Sequence, residues 1–324
     1  MDTQIRGLHH VTAMTSTAKK IYRFFTDILG LRMIKKTVNQ DDIETYHLYF
    51  TDDLGSAGTD MTFFDFPHVP KGTKGTNTIS RTSFRVADDA ALAWWADRFT
   101  THAIQHGDIQ ERFGKKYLEF EDFDNQRYQL ISDEKNAGVA GGTPWKNSNV
   151  PADKAIIGLG PAFVSVRNFD HMNLVLVNVL GFEKTAEDGD MTLYEIGEGG
   201  NGASIIVIHD DQSPDAGEGY GNVHHLALRV ADKEALEWWI KRINDLEFPN
   251  SGFVERFYFE SEYFMAAPNV LFELATDGPG FLQDETYETA GEILSLPPFL
   301  EPKRQEIEEY VREFDTSDAN QKRQ

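Results

Sequence analysis

The stretch VADDAALAWWADRF (86–99) returns 144 residues later as VADKEALEWWIKRI (230–243). Counting the arginine that precedes each copy, nine of fifteen positions are identical, among them both tryptophans. A match at a constant offset without gaps indicates a duplicated structural unit. A fainter match of DILGL (27–31) to NVLGF (178–182) indicates two further copies. The sequence therefore predicts four copies of one module.

Each copy carries the same order of local patterns. A short strand pattern is followed by apolar residues at helical spacing, as in Leu236, Trp239 and Ile243, and then by β-like runs such as YFMAA (263–267) and VLFEL (270–274). Apolar residues three and four positions apart mark one face of a helix, whereas short apolar or alternating runs mark strands. The prediction is an α+β fold built from four βαβββ modules.

Shifts in composition divide the chain into four parts. NAGVAGGTPWKNSNVPADK (136–154) is rich in Gly, Pro and Asn, which is typical of a linker. LPPFLEPKRQEIEEYVREF (296–314) has the pattern of a proline-started helix that packs on the body or on a second copy of the chain, as in a homo-oligomer. The polar end DTSDANQKRQ (315–324) is expected to be disordered. The predicted parts are an N-terminal half of two modules (1–135), the linker (136–154), a C-terminal half of two modules (155–282) and an extension (283–324).

The composition excludes several kinds of site and partner. Thirty-one Lys and Arg against 53 Asp and Glu give a net charge of −22, which repels nucleic acids and anionic membranes. Cysteine is absent, so disulfides and thiolate metal sites are excluded, and a metal would depend on His, Asp, Glu or Tyr. No apolar run of about 18 residues occurs, and MDTQIRGLHHV (1–11) lacks the pattern of a signal peptide. We therefore expect a cytoplasmic globular protein.

Two strands each begin with a pair of histidines. Because side chains alternate between the two faces of a strand, His10 and His225 should share the polar face of their strands, which looks into the concavity of a curved sheet. The apolar face should pack on a helix. By the same alternation, His9 and His224 should point away from the concavity.

A carboxylate completes a candidate site with these histidines. At the offset of 144, Arg81 falls on His225 and Gln129 falls on Glu273, so the scaffold requires neither the imidazole nor the carboxylate. Glu273 lies in an otherwise apolar strand, where a buried carboxylate is costly unless it is paired or bound to a metal. Together with His10 it would form the two-histidine, one-carboxylate triad that suits Fe(II). Histidines that only satisfy the core remain the alternative at this point.

The modules and these positions resemble the vicinal oxygen chelate superfamily, which includes glyoxalases and extradiol ring-cleaving dioxygenases. A narrower resemblance, over about residues 5–282, is to the hydroquinone-cleaving dioxygenases of that superfamily. The stretches that carry it are GLHHVTAM (7–14), YHLYFTDDLGSAGTDMTFF (46–64), GNVHHLAL (221–228) and RFYFESEYFMAAPNVLFE (256–273). The resemblance implies that the modules form two curved mixed-sheet halves with helices on the outside.

The resemblance also implies a set of site residues. The implied metal ligands are His10, His225 and Glu273. They would bind Fe(II), with Mn(II) or Zn(II) able to occupy the same site. The residues implied to act in catalysis around them are Tyr263, His224, Arg256, His9 and Thr12.

The second module, which has Arg81 and Gln129 in place of His225 and Glu273, distinguishes two of these implied residues. Tyr263 falls on Glu119, so the fold does not demand a tyrosine there, which favours a functional role. Arg256 falls on Arg112, so a structural arginine is an equally good interpretation. His47, in an apolar strand, is interpreted as a structural histidine.

The activity that the resemblance implies is extradiol-type cleavage of a hydroquinone-type aromatic ring, in quinone detoxification or aromatic degradation. The expected partners are the small aromatic substrate and O₂. One alternative is a glyoxalase-like metal-dependent lyase or isomerase, whose usual second carboxylate ligand is supplied by neither Thr12 nor Met14. Another is a non-enzymatic protein that binds an aromatic compound.

The implied ligands come from the two ends of the repeat array. His10 lies in module one, whereas His225 and Glu273 lie in module four. We therefore expect module one to close against module four and modules two and three to pair. The sequence halves would then not be independent metal-binding domains.

Overall fold

The computed structural model describes residues 2–324 and contains the four βαβββ modules. Modules one and two comprise β1 Leu8–Met14, α1 Ala18–Arg23, β2 Arg32–Val38, β3 Tyr46–Thr51, β4 Asp60–Phe64, β5 Thr78–Val86, α2 Asp89–Thr101, β6 Gln110–Arg112, β7 Lys115–Glu121 and β8 Arg127–Ser132. Modules three and four comprise β9 Ala162–Val166, α3 Phe169–Leu174, β10 Glu183–Asp188, β11 Met191–Glu195, β12 Ser204–His209, β13 Val223–Val230, α4 Lys233–Asp245, β14 Val254–Glu255, β15 Phe259–Ala267 and β16 Val270–Pro279. Helix α5, Arg304–Tyr310, follows the last module.

The strands form two eight-stranded mixed sheets, and each sheet combines two modules. The first sheet has the order β14-β15-β16-β13-β1-β4-β3-β2, so module four lies beside module one. The second sheet has the order β10-β11-β12-β9-β5-β8-β7-β6 and joins modules three and two. The expected pairing of the modules and the α+β fold of two curved mixed sheets are therefore confirmed. The division of the sequence at residues 136–154 stays a prediction.

The duplicated stretch that suggested the repeat forms equivalent helices. In α2 the side chain of Asp88 accepts a hydrogen bond from the backbone N–H of Ala91, and in α4 Asp232 does the same for Ala235. Such N-terminal caps satisfy backbone donors that have no partner within the helix. No helix in residues 2–324 has the length and apolar character needed to cross a bilayer.

The C-terminal extension packs on β2, the edge strand of the first sheet, and corrects two expectations. The helix predicted over 296–314 is limited to the 3-10 turn Glu301–Lys303 and the seven residues of α5 that follow it. The tail 315–324 is not disordered as predicted, because it contacts buried cations of β2. The fully buried Arg32 donates to Oδ1 of Asn320 at 2.9 Å, and the buried Lys36 approaches Oγ1 of Thr316 at 3.5 Å. The polar tail thus provides hydrogen-bond partners for buried cations of β2, a contact that the composition of the tail does not indicate.

Candidate metal centre

The concave face of the first sheet brings together the side chains of His10, His225 and Glu273. Their strands are neighbours, and Ala227 of β13 is the backbone partner of both His10 and Glu273. The Nε2 atoms of the two histidines are 3.2 Å apart, and each lies 3.1 Å from Oε2 of Glu273. All three side chains are buried. Three ligand atoms thus lie at the corners of a nearly equilateral triangle.

The triangle has the size that a metal ion requires. An ion about 2.1 Å from each ligand atom holds neighbouring ligand atoms about 3.0–3.4 Å apart, depending on its geometry. Oε2 of Glu273 is buried and has no hydrogen-bond partner in the described part of the chain, whereas Oε1 accepts a hydrogen bond from Ser261 at 2.5 Å. A buried oxygen of this kind is costly unless an ion satisfies it. These residues could therefore hold a divalent metal, and within residues 2–324 they are the one such group.

Burial and the mutual charges of the triad set its protonation. Burial opposes ionisation of Glu273, but the adjacent imidazoles of His10 and His225 outweigh it and hold the pKa of the carboxyl well below its usual range. Burial also lowers the pKa of His225 to about 4, although Glu273 opposes the shift. At neutral pH His225 is therefore neutral, which is the form that binds a metal.

Two β-bulges disprove the predicted orientation of His9 and His224. In the β1–β13 pairing, Leu8 and His10 face the consecutive residues Leu228 and Ala227, so His9 is an extra residue. Thr12 and Ala13 face His225 and Val223, so His224 is an extra residue on the other strand. An extra residue breaks the alternation of a strand locally. Each of these histidines consequently lies beside the candidate ligand that follows it. Nδ1 of His9 is 2.8 Å from Nδ1 of His10, and the same distance separates these atoms in His224 and His225.

The two supporting histidines differ in their second contact. Nε2 of His9 is 3.1 Å from the backbone oxygen of Thr276, an acceptor, so Nε2 must carry the proton of neutral His9. Nδ1 of His9 then accepts from Nδ1–H of His10, which leaves the Nε2 lone pair of His10 facing the triangle. His224 instead lines the cavity described below. His9 is thus anchored to the backbone, whereas His224 faces the cavity.

Tyr263 and Arg256 lie beside the ligand triangle and line the cavity in front of it. Tyr263 is the backbone partner of Glu273 on β15, and its ring centroid is 5.5 Å from that of His225. Nε of Arg256 donates to the Tyr263 hydroxyl at 3.1 Å, while its Nη2 donates to Asp41 at 2.9 Å. Burial raises the pKa of Tyr263 far above its ordinary value, and the charge of Glu273 adds to the shift. Tyr263 therefore remains a neutral hydroxyl.

A cavity of about 460 Å³ opens in front of the triangle. Of the residues predicted from the sequence, five line the cavity, namely His10, His224, His225, Arg256 and Tyr263. The buried Glu273, His9 and Thr12 do not belong to its lining. The lining residues that sequence reasoning missed or interpreted as structural are Asn39, Gln40, Asp41, His47, Tyr49, Phe64, Ser251, Val254, Phe259 and Leu271. The wall thus combines aromatic rings with hydroxyl, amide and charged groups.

Alternation could have found part of the missed set. Phe259 lies four residues before Tyr263 on the same strand and therefore on the same face. Ser261, which donates to Glu273 but does not line the cavity, lies between them on that face. His47 and Tyr49 share a face of β3 in the same way. The loop that carries Asp41 gives no such signal, because its place at the cavity depends on the contact with module four.

At the equivalent positions, the second sheet leaves a cavity of only about 20 Å³, which Gln129 lines in place of Glu273. Arg81, which replaces His225, forms a salt bridge of 2.6 Å with Glu119, which replaces Tyr263. Its guanidinium lies 5.3 Å from the ring centroid of Phe163, which packs with Leu193 and Ile206. The concave face of the second sheet is therefore filled by apolar side chains and an ion pair.

Comparison of the whole chain with known proteins gives relatives of matching length. MhqA of Bacillus subtilis (strain 168), assigned by name to the ring-cleaving dioxygenases, is 40% identical over 310 residues, which cover 94% of this chain and 98% of MhqA. The chlorohydroquinone/hydroquinone 1,2-dioxygenase of Sphingobium indicum is 31% identical over 313 residues, covering 94% of this chain and 95% of that enzyme. No protein-family model matches the chain.

Solved structures agree with these relatives. A crystal structure of a Bacillus subtilis protein assigned as a dioxygenase has a TM-score of 0.88 at 34% identity and covers 96% of this chain and 98% of its own. A glyoxalase I mutant from Zea mays has a TM-score of 0.58 at 12% identity, with coverage of 84% and 92%. At that identity the glyoxalase supports the fold alone.

The expectation of an extradiol-type enzyme is wrong. The Sphingobium relative is named for 1,2 cleavage of hydroquinone. The extradiol class is defined by cleavage next to a pair of neighbouring hydroxyls. The hydroxyls of hydroquinone lie at opposite ends of the ring, so cleavage between positions 1 and 2 does not fall into that class. The comparisons support ring cleavage without that class. The chain belongs to the family of these ring-cleaving dioxygenases.

Proposed function

We propose that the chain is a ferrous-iron-dependent dioxygenase that cleaves the ring of a hydroquinone-type compound, in quinone detoxification or aromatic degradation. The observation that carries the proposal is the convergence of His10, His225 and Glu273, with both histidines lining an aromatic-rich cavity. The name of the Sphingobium relative supports the substrate class. The cavity volume of about 460 Å³ lies in the range of small-molecule sites.

The donor set suits ferrous iron. Two imidazoles and one carboxylate on one side of an ion leave further coordination positions open, which is the arrangement of non-haem Fe(II) oxygenases. When bound, iron supplies the transfer of electron density between an aromatic ring and dioxygen that no side chain can provide. Mn(II) or Zn(II) could occupy the same ligands, since both accept nitrogen and oxygen donors.

Tyr263 and Arg256 would act on the reacting oxygen atoms. Because Arg256 donates to the Tyr263 oxygen, the Tyr263 O–H is left to donate to an acceptor in the cavity. A neutral donor and a fixed guanidinium next to the triad stabilise negative charge that develops there during the reaction. Asp41 holds the far side of the guanidinium and so fixes its orientation.

His224 would hold a proton at the cavity wall. If Nε2 of His225 faces the metal, Nδ1 of His225 carries a proton and donates to Nδ1 of His224. A neutral His224 then has its own proton on Nε2, which is free to donate to the substrate. Phe64, Phe259 and Leu271 provide the apolar surface against which an aromatic ring packs.

The experiment combines metal analysis with oxygen consumption. The purified chain reconstituted with Fe(II) without air is expected to hold one iron and to consume O₂ with hydroquinone in preference to catechol. Glu273→Gln should lose iron and activity together, because an amide cannot replace the anionic ligand. Glu260→Gln removes a carboxylate of the neighbouring strand β15 that pairs with Lys233 and does not line the cavity, and it serves as the control. Full activity of Glu273→Gln, or no O₂ consumption with any para-diol, would contradict the proposal.

A further inference from the structure

Four side chains form a continuous hydrogen-bonded chain across β1, β4 and β3. Oγ1 of Thr12 is 2.7 Å from Oγ1 of Thr62, which lies 2.9 Å from Nε2 of His47. Nδ1 of His47 is 2.8 Å from the hydroxyl of Tyr49. We refer to these four residues as the Thr12–Tyr49 chain. The proposed function leaves its cavity end, His47 and Tyr49, without a role.

The Thr12–Tyr49 chain ends in the cavity on β3 of module one, whereas Tyr263 belongs to β15 of module four. In the first sheet, β15 and β16 lie on one side of the β13–β1 pair, and β4 and β3 lie on the other. Since neighbouring strands are about 4.8 Å apart, β3 is about 10 Å from β1. Phe64 spans this gap, with its ring centroid 6.5 Å from that of His225 and 4.3 Å from that of His47.

The contacts of His47 fix the orientation of Tyr49. Both ring nitrogens of His47 are engaged, one by Thr62 and one by Tyr49, and its ring packs between Tyr49 and Phe64. A phenol hydroxyl can both donate and accept, and His47 uses only one of these capacities. The other capacity of the Tyr49 hydroxyl is available to a ligand in the cavity that Tyr49 lines.

Both end groups remain uncharged at neutral pH. Burial raises the pKa of Tyr49 well above its ordinary value, and the charge of Asp60 adds to the shift. Burial lowers the pKa of His47 well below its ordinary value, and the neighbouring imidazoles act in the same direction. A neutral, oriented hydroxyl suits a neutral polar ligand group rather than an ion.

We propose that Tyr49, oriented by His47, binds the second hydroxyl of a para-diol whose first hydroxyl lies at the triad. The inference rests on the proposed function and names the group that would select the substrate. In a para-diol the two oxygens lie at opposite ends of the ring, so the second one points across the cavity. In an ortho-diol both oxygens lie at the same end, and Tyr49 receives no partner. Tyr49 is thus a specificity-determining residue, and His47 and Thr62 are positioning residues.

The test compares the binding of hydroquinone and phenol by the iron-loaded protein, measured by calorimetry without oxygen. A hydrogen bond to the second hydroxyl should make hydroquinone bind about tenfold more tightly than phenol. Tyr49→Phe, which removes only the hydroxyl, should abolish this preference and leave phenol binding unchanged. His47→Phe keeps the ring packing but releases Tyr49, so it should reduce the preference to about threefold. Tyr194→Phe removes a buried tyrosine hydroxyl in the second sheet and is the matched control.

Two results would overturn the inference: an unaltered preference in Tyr49→Phe, or no preference in the wild type. Steady-state turnover provides a separate readout, in which Tyr49→Phe should raise KM for hydroquinone about tenfold with little change in kcat. If the wild type prefers hydroquinone in binding but consumes no O₂, the proposed function fails while the role of Tyr49 stands. If O₂ is consumed but Tyr49→Phe retains the preference for hydroquinone over phenol, the proposed function stands and the role of Tyr49 fails.

Discussion

Replacement of His9 by alanine should weaken metal binding much more than replacement of His224. His9 receives the proton of His10 at Nδ1 and is itself anchored to the backbone oxygen of Thr276. Its removal leaves the Nδ1–H of His10 without an acceptor at a site where His10 is 1% exposed, so water cannot easily replace the contact. An unsatisfied buried donor costs about 1–3 kcal/mol, which corresponds to a loss of about 5- to 150-fold in metal affinity.

The same reasoning gives a smaller effect for His224. It is only partly buried and lines the cavity, so water can take over its contact with Nδ1 of His225. We expect a loss of about threefold for His224→Ala. His9→Asn should recover part of the affinity, because Oδ1 of asparagine can accept from His10 at a position close to that of Nδ1.

The assay is anaerobic competition for Fe(II) between each variant and a chromogenic chelator. His209→Ala, an exposed histidine on β12 of the second sheet, controls for the general effect of removing an imidazole. Equal losses in the His9 and His224 variants would refute the role of the Thr276 contact, and so would an affinity of His9→Ala within about twofold of the wild type.

Three further predictions follow from other parts of the molecule. Residues 150–324 expressed alone should fail to bind iron with native affinity, because β1 and His10 are missing; stoichiometric metal in this fragment would contradict it. Burial raises the pKa of Glu262 to about 7, so its ionisation destabilises the fold as the pH rises from about 4.5 to 7. Glu262→Gln should therefore be more stable than the wild type by about 2 kcal/mol at pH 8 and nearly equal at pH 4.5 in urea unfolding, and a pH-independent difference would refute this. Arg32→Met should lower stability by about 3 kcal/mol and expose the C-terminal extension to proteases, because one buried and two partly buried acceptors lose their donor; unchanged proteolysis would argue against this anchor.

Local periodicity and the repeat were sufficient to predict much of the fold. The offset of 144 identified equivalent strands and helices, since duplicated units keep their core residues while other positions diverge. It also identified His225 and Glu273 as positions that the scaffold leaves free. From the faces of the strands, His10 was expected on the same surface, and the structure brings all three together.

The failures arose where distant strands decide the local structure. His9 and His224 were expected to point away from the site, but bulges in the β1–β13 pairing reverse that expectation, and a bulge depends on the partner strand. The tail 315–324 was expected to be disordered from its composition, whereas its order depends on buried cations of β2. In both cases the deciding contact joins residues more than 200 positions apart.

The two sheets show why ligand residues alone do not make a metal centre in this fold. To convert the second sheet, Arg81 and Gln129 would have to become histidine and glutamate, but Phe163, Leu193 and Ile206 would still fill the concave face. A carboxylate placed there would be buried against apolar side chains without the open volume that admits an ion and its substrate. The first sheet leaves about 460 Å³ open in front of its triad and therefore gives up apolar packing that the second sheet keeps. Open space in the concave face of one sheet is thus the structural condition for chemistry, which the filled second sheet does not meet.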